Sequence, residues 1–170
     1  MDHTVTGLAE RPLDAQLVIG DLVDLCLCDR SDISLLAGEQ AERPSTVPAQ
    51  AASVAGQLAA AAGSAAATAL GGILGAASTV ASRRFSGVGV LNAVGEFGAM
   101  LARTALGTSA DLAKALADFG LDDRLAREYA EALRAGKILI IVRAGSEKMQ
   151  QCARQVMATR GVLAEASQAH

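Results

Sequence analysis

The sequence predicts an α+β fold: a ferredoxin-like β-α-β/α-β-α-β sandwich with a long Ala/Gly-rich helical insertion between its second and third strands. Three observations lead there. Apolar residues recur at helical spacing between short strand-like runs in both halves of the chain. The run Lys137-Ile138-Leu139-Ile140-Ile141-Val142 is continuously apolar and rich in β-branched side chains, as a strand covered on both faces should be. Between the halves, residues 44–82 contain no charged side chain.

In chain order, Val5 and Leu8 among small polar residues predict a short strand over 2–10. Pro12 sits where the first turn of a helix tolerates proline. Over 13–28, Ala15, Val18, Ile19, Leu22, Leu25 and Cys26 then mark one buried helical face. Asp29-Arg30-Ser31-Asp32 is a polar break, and 33–37 reads as a second strand. Low-charge segments on either side of a break at 83–89 read as a helical hairpin, so the insertion is placed at 41–110.

Beyond it, Leu121, Leu125, Tyr129, Ala132 and Leu133 share a helical face, and Gly136 stands where a C-terminal cap belongs. After the central strand, Ser146 can cap a helix whose buried face is Met149, Cys152, Ala153, Val156 and Met157. Gly161 ends that helix, and 162–166 forms the last strand. The α+β domain is thus assembled from 1–40 and 111–166, with a tail at 167–170.

Composition narrows the function. Half the chain is apolar, yet it has no Trp, one Tyr and three Phe, so the core rests on Leu, Val, Ile and Ala. The net charge of −3, with no basic block and few stacking rings, excludes a nucleic-acid partner. Cys26, Cys28 and Cys152 are odd in number and follow no secretory signal, which points to a reducing cytosolic compartment and to buried or idle thiols. A metal set lacks ligands, because His3 and His170 lie near the ends and Cys26 and Cys28 point to different helix faces. No metal and no cofactor are expected.

The same two histidines leave a His-based triad without a general base. No phosphate-binding G-x-x-x-x-G-K-[ST] loop occurs, and Gly87 and Gly89 do not follow a strand in a βαβ unit. Asp122, Asp123, Glu128 and Glu131 read as helix-dipole partners and solvated charges. The expectation is a protein without catalytic activity.

The uncharged segment exceeds the roughly 20 residues that a membrane-crossing helix needs, but strongly lipophilic side chains are sparse outside 70–74. Gly71, Gly72 and Gly75 contain a G-x-x-x-G, and Gly56 and Gly63 stand seven apart, so small residues form a groove in which a second helix can pack. Arg83 and Arg84 are either a positive flank that meets anionic lipid or a solvated loop. The partners implied are a second copy of the chain or membrane lipid, with a cytoplasmic domain attached to the membrane through residues 44–105. Alternatively, the insertion folds over the sheet, and Leu70, Leu74, Phe97, Met100 and Leu101 enclose an apolar small molecule such as a lipid or quinone. A third alternative is a scaffold subunit whose insertion is buried by a larger complex.

Three stretches resemble the bacterial general stress protein family, the heat-induced stress domain of the YflT-like type and its relatives with a glycine-zipper insertion. Residues 14–37 end in Asp32-Ile33-Ser34-Leu35-Leu36-Ala37; the second stretch is Phe85-Ser86-Gly87-Val88-Gly89-Val90-Leu91-Asn92-Ala93-Val94-Gly95; the third, 116–144, carries Phe119-Gly120-Leu121, Tyr129 and Gly136. The prolines of the family's central segment are replaced here by Ser86 and Val90. The resemblance implies a bacterial, stress-linked protein, often membrane-associated, and brings no catalytic residues.

Overall fold

The computed structural model describes residues 3–38, 80–103 and 111–168. In order these form β1 (His3–Ala9), α1 (Pro12–Cys26), a 3-10 turn (Arg30–Asp32), β2 (Ile33–Gly38), β3 (Val80–Phe85), β4 (Gly89–Val94) and α2 (Glu96–Arg103). They continue with α3 (Leu112–Asp118), α4 (Asp123–Arg134), β5 (Ile138–Ala144), α5 (Glu147–Thr159) and β6 (Leu163–Gln168). The fold is α+β, and its strands make one antiparallel sheet in the order β3-β4-β2-β5-β1-β6.

The apolar run places β5 in the middle. Val142 pairs with Val5 on one side and with Ile33 on the other. Successive side chains of a strand point to opposite faces. Ile138, Ile140 and Val142 therefore enter one core, while Leu139 and Ile141 enter the other. The first core lies under α1 and α5, which pack on each other and on β1 and β5. The second lies under α2, α3 and α4.

Two expectations are corrected. Residues 80–94, placed in a helical hairpin with its break at 83–89, form a β-hairpin instead. Ala81 and Phe85 are buried while Ser82 and Arg84 are exposed, a period of two that belongs to a strand. Gly87, with φ +78, holds the third position of the turn that the Val88 amide closes by donating to Phe85 O at 3.3 Å, a position where a positive φ favours glycine. The hairpin extends the sheet to six strands, where four were expected.

The second correction concerns the thiols. Cys26 and Cys152 form a disulfide between α1 and α5, with Cα atoms 5.7 Å apart and 126 residues between them in sequence. Helical spacing puts both on buried faces. Two helices laid side by side on one sheet face bring such positions within bridging distance. Cys28 is the free thiol, and it is buried.

Among the described residues, no helix is long and apolar enough to cross a membrane.

Candidate functional site

The outer side of α1 is the least self-sufficient surface among the described residues. Pro12 starts the helix, and Asp14 in its first turn holds the Arg11 guanidinium at 2.9 Å. That hydrogen bond, together with the carboxylate charge, raises the guanidinium pKa further. Ala15, Val18, Ile19, Leu22 and Cys26 face the sheet. At 3.6 residues per turn, Leu13, Leu17, Gly20 and Asp24 line the opposite, solvent side.

Leu13 is 58% exposed and Leu17 42%. At the end of the helix, Leu25 and Leu27 reach 67% and 81%. Helical spacing in the sequence puts Leu25 on the buried face, but the core stripe passes through Leu22 and Cys26 and leaves it outside. One exposed leucine needs no explanation. Here the exposed large apolar side chains among the described residues all fall on α1 and its cap, Leu13 and Leu17 near the start and Leu25 and Leu27 at the end, and exposed apolar surface concentrated on one element marks a contact site.

Two local features of this face work against stability. Leu27 is left-handed, with φ 54° and ψ 32°, so that the Cys28 amide can donate to Leu22 O at 3.2 Å and close the helix. Glycine is favoured at such a cap, and a residue with a Cβ costs about 1–2 kcal/mol there. Gly20 lies inside the helix, where glycine costs about 1 kcal/mol relative to alanine. A Cβ added to Gly20 would meet no atom within 4 Å, so the fold itself does not demand a glycine.

Behind the cap, burial pushes the Cys28 thiol pKa up, and the charges of Asp32 and Asp29 push it the same way. A buried thiol held protonated is a poor nucleophile.

A second constellation joins the end of β4 to β2. Ser34 Oγ accepts a hydrogen bond from the Phe97 amide at 3.1 Å and so caps the start of α2. Glu96 pairs with Arg143 of β5. Asp32, beside them, has its carboxyl pKa raised by burial and by Asp29 and Glu96, with Arg143 pulling the other way. The chemistry of this junction is attachment of α2 to the sheet: one hydroxyl satisfies a helix terminus, and one ion pair spans two elements.

A shallow, open depression of about 410 Å³ lies along α4, lined by Asp122, Asp123, Arg124, Arg127, Glu128 and Glu131. Asp122 caps the helix by accepting from the Arg124 amide at 2.9 Å, and Arg124 approaches Glu128 at 4.0 Å. The alternating charges belong to a solvated helix face.

Of the residues singled out in the sequence, Gly56, Gly63, Leu70, Gly71, Gly72, Leu74 and Gly75 lie outside the described residues. Arg83 and Arg84 sit in β3 at the sheet edge, half-buried and exposed, respectively. Phe97 and Leu101 are wholly buried in the second core, where the Phe97 ring meets Phe119 edge-on at 5.0 Å; Met100 is partly buried beside them. The exposed α1 leucines were the residues missed. Their signal was Leu13 and Leu17 one turn apart, opposite the stripe that packs.

No protein-family model, curated protein or solved structure matches the chain.

Proposed function

We propose that this chain is a non-catalytic protein that works by association, through apolar surface it does not bury itself. The observation that carries this reading is the outer face of α1, where Leu13, Leu17, Leu25 and Leu27 remain exposed on a helix whose other side is fully packed. The uncharged, small-residue stretch at 44–82, with Gly71 and Gly75 as close-packing positions, supports membrane attachment or self-association from the sequence side. A stress-associated role rests on the three resembling stretches alone.

The same reading takes β1-α1-β2 and β5-α5-β6 as a ferredoxin-like unit. The consecutive order β2-β5-β1-β6 supports it, as do α1 and α5 acting as the two crossovers on one face. The β3-β4 hairpin extends that unit on the β2 side, and α2, α3 and α4 cover its other face.

The test is sedimentation of the purified full chain over a range of concentrations, beside flotation with vesicles of neutral and of anionic lipid. Association with itself or with vesicles is expected. A monomer that ignores both would overturn the reading, and an apolar molecule extracted from that monomer would favour an enclosed ligand.

A further inference from the structure

We propose that α1 is a two-fold homodimer surface, packing antiparallel on α1 of a second copy and crossing it at Gly20. This rests on the association reading and names its partner and its surface. The first argument is steric. Gly20 is central in the exposed stripe, and open space surrounds it on the outer side. A glycine that the monomer has no packing reason to keep is explained by the close approach of another backbone.

The second argument is complementarity. An antiparallel pairing about Gly20 sets Leu13 opposite the partner's Leu27, which gives the left-handed, exposed leucine an apolar contact. It sets Gln16, a donor, opposite the exposed carboxylate of the partner's Asp24. Each match occurs twice, because a two-fold interface repeats every contact. Parallel pairing would instead put Arg11 on Arg11 and Asp24 on Asp24, and like charges so placed oppose association. The antiparallel arrangement also aligns the helix dipoles favourably.

A lipid surface fits this face poorly. The helix carries Asp14, Asp21 and Asp24 and has no Lys or Arg within it. Helices that lie on membranes present basic polar faces to anionic headgroups. One helix pair buries area at the low end for specific interfaces, so the dimer should be concentration-dependent.

Sedimentation of the full chain tests this with three variants. Leu13→Asp/Leu17→Asp changes only exposed positions, and Gly20→Leu places a side chain in open space, so both should fold; unchanged thermal transitions at low concentration would verify this. Each is expected to weaken dimerisation by at least about tenfold. Gly20→Cys is expected to yield a covalent dimer under mild oxidation, since the two Cα atoms would approach within bridging range. A wild-type dimer unaffected by the first two variants, or one in which Gly20→Cys never cross-links, would overturn the α1 surface and leave association standing. A monomer that binds vesicles would also overturn it and leave the association reading intact. A monomer that binds neither would end both.

Discussion

Tyr129 on α4 and Thr6 on β1, 123 residues apart in sequence, share a buried hydrogen bond of 2.5 Å between hydroxyls. Thr6 and Ser34 are buried hydroxyl side chains on either side of Ile141 in one cross-strand row, and the chain's one tyrosine reaches Thr6. Removing one partner leaves the other hydroxyl short of a contact in a dry layer. Tyr129→Phe and Thr6→Val should each lower stability by about 1–2 kcal/mol in urea unfolding. The double variant should lose clearly less than the sum, because each single variant already removes the bond between the two; strict additivity would mean that the two hydroxyls do not interact.

The Cys26–Cys152 disulfide joins the two helices of one core across 126 residues. Chain-entropy arguments put such a crosslink near 5 kcal/mol, and observed gains are usually about 2–4 kcal/mol. Cys26→Ser should therefore lower the midpoint of thermal unfolding by about 5–15 °C. Reducing the wild-type protein with dithiothreitol should give a comparable drop, and adding dithiothreitol to Cys26→Ser should change nothing further. An unchanged midpoint in Cys26→Ser would show that the bridge does not constrain the chain.

Most of the two flanking halves was legible in the sequence, because their signals are local. The apolar run at 138–142, the stripe Ala15-Val18-Ile19-Leu22 and the Ser146 cap, which accepts from the Met149 amide at 3.2 Å, all depend on neighbours within one or two turns. The β3-β4 hairpin was not legible. Its inward positions include Ala81 and Ala93, small residues that mark a strand face no more strongly than a helix face. What makes them strands is pairing, since Ala93 lies opposite Leu36 of β2 on one side and Ala81 of β3 on the other. The disulfide escaped for a similar reason: helix faces can be read from spacing, but which two helices adjoin is decided by the sheet order. The α1 leucines escaped because a buried stripe is recognised by its apolar content, and here leucines also stand among Gln16, Gly20 and Asp24 on the opposite side.

Among the described glycines, Gly95 is the one whose added Cβ would meet the closest backbone atom. Its φ is +87°, and an added Cβ would lie 2.3 Å from the Ile33 carbonyl oxygen. Ile33 cannot withdraw, because it is paired with Val142 in the centre of the sheet. Gly95→Ala combines a left-handed conformation with a backbone clash. It should destabilise by about 3 kcal/mol or more, at the severe end for a point substitution. Chemical denaturation of the variant measures this directly, and a loss below 1 kcal/mol would mean that the β4-α2 corner can move away from β2.

Leu27 offers the opposite experiment. The residue is left-handed and mostly solvent-exposed, so replacing it relieves backbone strain and removes little packing. Leu27→Gly should stabilise the dilute monomer by about 0.5–1 kcal/mol, the net of relieved strain and a more flexible unfolded chain. The urea midpoint would rise with an unchanged slope. A fall would show that Leu27 packs on the protein in solution.

Asp32 gives a pH signature with a defined sign. Burial, Asp29 and Glu96 hold its folded-state pKa above the ordinary 3.8, against the opposing pull of Arg143. In the window above 3.8 the folded chain therefore binds more proton than the unfolded one. Stability from this group is fully present below the unfolded pKa and is lost as pH rises through the folded pKa. Asp32→Asn removes the titration while keeping a side chain of the same shape. The variant should be more stable than the wild type at neutral pH, and the difference should shrink towards zero as the buffer is taken below about pH 3, where the wild-type carboxyl is itself protonated. Thermal unfolding of both proteins across that range decides it. An advantage for the variant that persists in acid would assign the effect to packing or hydrogen bonding and not to the carboxylate charge.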